Sequence, residues 1–158
     1  MKGTLDDLIV KFNNDTSAKL TESWTWLIGT DKEVLLVSTI GDMFLTDNNK
    51  RVYWLDVGGG ELKLVANTIE DFEEKLKNVE QVNEWFMIDL TTELRLSNKK
   101  LKDGQLYSYY KLPIIGGGYT VDNFAPLSIK KHFSYLGDVH RQIKDLPDGT
   151  KVEIKIVD

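Results

Sequence analysis

Apolar side chains occur at every second residue before residue 66 and at about every fourth residue after it. This change of period constrains the fold more than any other feature of the sequence. Before it, residues 61–65 alternate polar and apolar side chains, which is typical of a strand with one buried face. After it, Ile69, Phe72 and Leu76 repeat on one face of a helix. Strands followed by helices, without regular β-α-β alternation, predict an α+β fold with a mostly antiparallel sheet and several helices packed against it.

The chain before the change predicts a β-meander. Residues 34–45 and 51–55 are rich in β-branched and apolar side chains, and the polar residues 47–50 between them predict a hairpin. The run Gly58-Gly59-Gly60 predicts a second turn, and residues 61–65 then complete the meander as a third strand.

Helical periodicity predicts four further helices besides the one that begins near Ile69. They cover residues 5–12, 24–28, 82–94 and 129–143. Gly137 weakens the last prediction, because glycine costs a helix about 1 kcal/mol relative to alanine.

Strand-like patterns return in the second half of the chain. Residues 106–115 and 119–124 are strand-like, with Pro113 limiting the first of them to a strand end. Residues 146–150 predict a turn, and residues 152–156 predict a closing strand.

Length and charge bound the class of protein. A chain of 158 residues is the size of one domain, which we expect to span residues 1–158. The 25 acidic and 20 basic residues give a net charge of −5, which argues against a broad nucleic-acid-binding surface. No apolar stretch approaches the roughly 18 residues of a membrane span, so we expect a cytoplasmic protein with no membrane partner.

The residues that could support catalysis or metal binding are few. Cysteine is absent, which excludes thiolate metal sites and cysteine nucleophiles. His132 and His140 are the two histidines, and on one helix they would lie about 12 Å apart, too far to share one metal ion. Neither triple-glycine run opens into a helix, as a phosphate loop requires. The sequence therefore predicts no metal, no cofactor and no catalytic residue.

Acidic residues are concentrated in the middle of the chain. Residues 61–95 carry nine acids and four bases, many of the acids on predicted helices. Such a face could bind a basic protein partner, or it could be an ordinary solvated helix surface. The candidate partner-binding residues are Glu70, Glu73, Glu74, Glu80 and Glu84.

Five segments occur together in a characteristic order. They are Gly41-Asp42-Met43-Phe44-Leu45, residues 52–56, Glu84-Trp85-Phe86, residues 117–123, and residues 140–149. The set resembles the C-terminal domain of type VI secretion immunity proteins that protect bacteria from a DNase toxin, over residues 24–150. The first two segments more loosely resemble the SUKH immunity superfamily.

The resemblance implies an α+β, SUKH-like protein that neutralises a protein toxin by occlusion rather than catalysis. A basic nuclease is one candidate toxin. The resemblance carries over no catalytic residues and implies no cofactor.

Two other functions stay open from the residues alone. One is a small-ligand-binding protein or enzyme that uses the His140 region and the loop around Tyr119; the other is a regulatory scaffold. A buried His140 bonded to the backbone would favour a role in folding for that residue. The sequence leaves open the oligomeric state and whether Arg141 and Asp145 serve folding or contact.

Overall fold

A five-stranded antiparallel meander is the larger of two sheets in the computed structural model, which describes residues 5–13 and 17–147. Its strands, which neighbour one another in chain order, are β1 (Ile9–Val10), β2 (Glu33–Ser38), β3 (Met43–Thr46), β4 (Val52–Asp56) and β5 (Glu61–Ala66). The second sheet is an antiparallel hairpin of β6 (Gln105–Tyr109) and β7 (Phe124–Ser128).

Seven α-helices accompany the sheets in the described residues. They are α1 (Leu5–Leu8), α2 (Ser17–Thr21), α3 (Thr25–Ile28), α4 (Ile69–Lys75), α5 (Val79–Phe86), α6 (Ile88–Leu96) and α7 (Ile129–Ile143). Short 3₁₀ turns cover Glu22–Trp24, Pro113–Ile115 and Val121–Asn123. The α+β class predicted from the sequence is confirmed. None of the helices described is long and apolar enough to cross a membrane.

Three helices begin at a side chain that accepts a hydrogen bond from their first turn. Thr68 Oγ1 caps α4, Asn78 Oδ1 caps α5 and Ser128 Oγ caps α7, with bonds of 3.0 to 3.1 Å. Such caps satisfy amides that have no partner within the helix, so the polar residue before each apolar stripe sets where the helix starts.

Strand β3 lies between two apolar cores. Met43 and Leu45 belong to the core that contains Trp24 and, from α7, Phe133. Phe44 belongs to the second core, where its ring lies 5.2 Å from that of Phe72. Because successive side chains of a strand point to opposite faces, one strand contributes to both cores and is buried throughout.

Several element boundaries differ from the sequence prediction. Residues 34–45 form two strands, β2 and β3, because Gly41 turns the chain with φ of +95°. The predicted helix over residues 82–94 divides at Met87, whose φ is +47°. Asn83 stabilises the break: its carbonyl accepts from Met87 N at 2.9 Å, and its Oδ1 accepts from Ile88 N at 3.0 Å.

The remaining differences fall at the ends of the chain and around the β6–β7 hairpin. The strand predicted over residues 106–115 ends at Tyr109, because Pro113 begins a 3₁₀ turn. The first helix is four residues long and leads directly into β1. The strand predicted over residues 119–124 instead covers Phe124–Ser128. The predicted closing strand over residues 152–156 and the end of the turn before it lie outside the described residues.

Gly137 has a packing role inside α7. A Cβ at this position would lie 2.5 Å from the carbonyl oxygen of Ser23. The indole Nε1 of Trp26 donates to the Gly137 carbonyl at 3.1 Å. The helix therefore needs glycine here because the 3₁₀ turn at Glu22–Trp24 packs directly on its backbone.

Candidate functional site

Four of the five segments that carry the family resemblance meet at the turn between β4 and β5. Asp42 comes from the turn before β3, and Asp56 ends β4. Tyr119 reaches the same turn from the loop between β6 and β7, and His140 reaches it from α7. We call Asp42, Asp56, Tyr119 and His140, with the turn itself, the turn cluster.

Asp42 is the buried acid of the turn cluster. Its Oδ1 accepts from the Val57 amide at 2.9 Å, and its Oδ2 accepts from Trp54 Nε1 at 3.1 Å. Burial, with the nearby charge of Asp56, raises the pKa of Asp42 to about 8. Burial also raises the pKa of Asp56. At Asp42, burial outweighs the hydrogen bonds from Val57 and Trp54, which favour the charged form and lower the pKa.

His140 holds the other side of Val57. Its Nε2 donates to the Val57 carbonyl at 2.7 Å, which leaves Nδ1 without a proton in the neutral ring. Burial lowers the pKa of His140, so the neutral form predominates at pH 7. Asp42 and His140 therefore hold the Val57 backbone from two sides, which is the arrangement that favours a role in folding.

Two of the three glycines in the turn, Gly58 and Gly60, have no room for a side chain. A Cβ at Gly60, whose φ is +68°, would lie 2.5 Å from His140 Nδ1. A Cβ at Gly58 would lie 2.8 Å from the Tyr119 hydroxyl and 2.9 Å from that of Tyr109. These two tyrosines hydrogen-bond to each other, and burial raises the pKa of Tyr119 to about 12. Close packing thus requires glycine at positions 58 and 60, and only Gly60 has the positive φ that is typical of a glycine turn.

His132 makes the matching contact at the neighbouring turn. Its Nε2 donates to the Gly41 carbonyl at 2.7 Å, and its Nδ1 lies 2.6 Å from Ser108 Oγ. Burial lowers the pKa of His132 to about 4. The β2–β3 turn and the β4–β5 turn lie at the same end of the meander, two strand spacings or about 10 Å apart. Eight residues of α-helix, the separation of the two histidines, rise by about 12 Å. The histidine spacing therefore matches the spacing of the turns.

Hydrogen bonds and ion pairs within the fold account for the polar side chains around His140. No group of three or more histidine, aspartate or glutamate side chains suited to a metal ion occurs within residues 5–13 and 17–147. Every buried polar side-chain atom in that part of the chain has a hydrogen-bond partner.

The charged residues near His140 form exposed ion pairs. Arg141 and Asp138 form one of 3.7 Å, and Asp145 lies 3.9 Å from Lys144.

The loop between β6 and β7 is held in shape by Asn123. Its Oδ1 accepts from Lys111 N at 2.9 Å, and its Nδ2 donates to the carbonyls of Lys111 and Gly118. The Tyr119 ring stays 42% exposed beside this clasp. The loop is thus held by side-chain hydrogen bonds and presents two tyrosines, Tyr110 and Tyr119, to solvent.

All five candidate partner-binding glutamates are exposed. Glu80 and Glu84 line one groove of about 280 Å³ with Lys75, and Glu70, Glu73 and Glu74 lie on α4. Glu74 pairs with Lys77 at 3.1 Å, and Glu84 accepts from Gln81 at 2.7 Å. Val79, at the start of α5, is 73% exposed beside them. We call the five glutamates the acidic surface.

Sequence reasoning missed two features of this region. One is the link from Asp42 through Val57 to His140. The only sequence signal for this link was the ordered set of segments that carries the family resemblance, because those segments meet in space although they are far apart in sequence. The other is the Asn123 clasp, for which an asparagine five residues after a triple-glycine run gave no specific signal.

Comparisons with known proteins agree with the family resemblance. Residues 66–140, just under half of the chain, match the family model described as T6SS immunity protein Tdi1, C-terminal. No curated protein matches the chain. The looser likeness to the SUKH superfamily is not confirmed.

The fold is similar to a solved structure, the crystal structure of Atu4351 from Agrobacterium tumefaciens. The TM-score is 0.59 at 15% sequence identity, and the alignment covers 80% of this chain. It covers 65% of that chain, slightly less than two thirds of its length. At this identity the likeness shows a shared fold.

Proposed function

We propose that this chain, whose residues 66–140 carry the C-terminal immunity domain, binds and neutralises a protein toxin of type VI secretion. The family match is the observation that carries this proposal. The matched residues span α4 to α6, the β6–β7 hairpin and most of α7, so they contain the whole acidic surface and the Asn123 clasp.

Neutralisation proceeds by occlusion rather than by catalysis. The histidines, which are the usual acid–base groups near pH 7, each donate to a backbone carbonyl and are buried. The acid with the most perturbed pKa, Asp42, is fully enclosed by its own partners. These groups stabilise the fold and leave the surface to make contact with the toxin.

The acidic surface is the side of the molecule that contacts the toxin, and a basic nuclease is the class that fits it. Nucleases bind phosphates through lysine and arginine, so an acidic surface competes for the same basic groups. Opposite charges also accelerate association. Val79 supplies an exposed apolar contact among the carboxylates.

The test measures association of the purified chain with the toxin encoded beside its gene, as a function of salt. The triple variant Glu73→Lys, Glu74→Lys, Glu84→Lys is compared with Glu22→Lys, Glu33→Lys, Asp122→Lys, which reverses three exposed acids outside α4 and α5. We expect the first variant to associate at least about tenfold more slowly and with less dependence on salt. Equal rates for the two variants would remove the acidic surface from the proposal.

Inhibition of the toxin is measured in the same samples. Complex formation with loss of toxin activity supports immunity by binding. Absence of any complex with neighbouring toxins would instead favour the regulatory scaffold.

A further inference from the structure

A second groove, larger than the one beside Glu80 and opposite in charge, lies next to the first strand. It has a volume of about 810 Å³ and is bounded by residues 9–13, 101–105 and 128–130. Apolar side chains, including Val10, Phe12 and Leu101, form part of its lining. Its volume lies within the roughly 300–1,000 Å³ of typical ligand sites. We call it the basic groove.

The edge strand of the larger sheet, the two-residue β1, lines the basic groove. Strand β1 pairs with β2 on one side only, with Ile9 opposite Ser38 and Val10 opposite Val37. No strand of the described residues pairs with the other side of β1. A free edge offers backbone amide and carbonyl groups to an added strand.

Basic side chains outnumber acidic ones in the lining of this groove. The bases are Lys11, Arg95, Lys102 and Lys130, and the acids are Asp6 and Asp103. The ammonium groups of the three lysines make no ion pair or hydrogen bond with any residue that the structure describes.

Arg95 is held in place at the groove. Its Nε donates to the Asp7 carbonyl at 2.7 Å, and one terminal nitrogen donates to Thr39 Oγ1 at 3.0 Å. A chain of net charge −5 thus carries a local excess of positive charge beside an open strand.

We propose that the basic groove binds an extended acidic peptide segment of a partner protein, which adds as a strand to the free edge of β1. Backbone hydrogen bonds would supply affinity, and alternate carboxylates would meet the lysines. A lysine beside a free edge protects the edge from pairing in general, and Lys11 repels a basic strand but attracts an acidic one. This site is independent of the acidic surface and does not rest on the proposed function.

The geometry favours a peptide over a nucleic acid. Asp6 and Asp103 would repel a continuous phosphate backbone, whereas a peptide can place neutral side chains opposite them. The aromatic ring in the lining, Phe12, is partly buried and packs against the main core, so it is not a stacking platform for bases.

The test uses fluorescence anisotropy with the full chain and a labelled hexapeptide of alternating glutamate and valine. The control peptide has lysine in place of glutamate. We expect the acidic peptide to bind at least about tenfold more tightly than the basic one, and salt to weaken it. Equal binding of the two peptides would overturn the proposal.

Matched variants locate the site. Lys102→Glu with Lys130→Glu should weaken the acidic peptide about tenfold. Lys111→Glu with Lys131→Glu makes the same change in net charge outside the lining and should leave affinity within about twofold. Equal losses in the two double variants would overturn the assignment to this groove.

Backbone methylation tests strand addition itself. One peptide is N-methylated at every valine and another at every glutamate. A strand pairs along one edge through alternate residues, so one of the two should lose binding and the other should keep it. Equal effects of the two methylations would overturn strand addition.

Other occupants give distinct results. A single-stranded oligonucleotide that binds as tightly as the acidic peptide, and is weakened by the same groove variant, would overturn the peptide in favour of nucleic acid. Self-association that disappears with Lys102→Glu and Lys130→Glu would assign the groove to a second copy of the chain.

Discussion

The Nε2 of His140 lies 2.7 Å from the carbonyl oxygen of Val57, 83 residues earlier in the chain. The amide of the same Val57 donates to Asp42 at 2.9 Å. One residue of the β4–β5 turn is therefore bonded to the β2–β3 turn and to the last described helix. This link accounts for the meeting of sequence segments that carry the family resemblance.

Replacing His140 should destabilise the fold. His140→Ala leaves the buried Val57 carbonyl without its donor and removes a ring that packs 5.5 Å from Trp24, so we expect a loss of about 2–4 kcal/mol in the free energy of unfolding. His140→Gln, whose amide can donate to the carbonyl, should lose less. Urea unfolding measures both, with the exposed Lys130→Ala as control. A loss under about 0.5 kcal/mol for His140→Ala would contradict the folding role.

Two glycines with similar backbone angles separate strain from crowding. Gly104→Ala, at φ of +79° with nothing within 4 Å of its Cβ, should cost about 1–2 kcal/mol. Gly60→Ala, at φ of +68°, adds the collision with His140 and should cost at least about 1 kcal/mol more. Combining Gly60→Ala with His140→Ala should cost less than the sum of the two. Additive losses would show that ring and turn are not coupled.

Alanine in the middle of α7 should have the opposite of its usual effect. Gly→Ala inside a helix commonly stabilises by about 1 kcal/mol. Gly137→Ala should instead destabilise, because the new Cβ collides with the backbone of Ser23. Thermal unfolding compares it with Ser134→Ala, an exposed position on the same helix. An increase in melting temperature for Gly137→Ala would mean that the contact with Ser23 is loose.

Stability should fall as the pH rises from 7 to 8. The folded chain holds a proton on Asp42, whose pKa is raised to about 8, while the unfolded chain, with a pKa of 3.8, has released it. The folded state therefore binds more protons, and the free energy of unfolding decreases with pH by on the order of 1 kcal/mol per unit.

The two histidines do not mask this trend. Their pKa values are lowered in the folded state, so they raise stability with pH, but this effect is nearly complete by pH 7 because the unfolded histidines have a pKa of 6.5. Urea unfolding at pH 7.0 and 8.0 should show the decrease in the wild type and in Asp122→Asn, and a smaller one in Asp42→Asn. An unchanged slope in Asp42→Asn would assign the trend to another group.

The α+β class and most elements could be predicted because local signals determine them. Ser128 before an apolar stripe of period four predicted α7, and the cap is present. The break at Met87 could not be predicted, since spacings of four continue across it and methionine is an ordinary helix residue. The Asn83 side chain stabilises the break by accepting from Ile88 N, five residues later, and the apolar spacing carries no signal of that bond.

The candidate site was predictable only in part. The exposure of the glutamates follows from the apolar faces of α4 and α5, because Phe72 and Trp85 must point inward. The roles of His132 and His140 depend on contacts more than 80 residues away in sequence, so no local pattern reveals them. The basic groove likewise joins three distant segments.

Survival of cells that express the type VI toxin encoded nearest to this gene tests the central claim most directly. The chain is co-expressed with that toxin, and survival and co-purification are measured together, with folding of the chain verified by circular dichroism. We predict survival and a stable complex for the wild type, and reduced survival for Glu73→Lys with Glu74→Lys and Glu84→Lys. Cell death without any complex, despite a folded chain, would contradict immunity by binding.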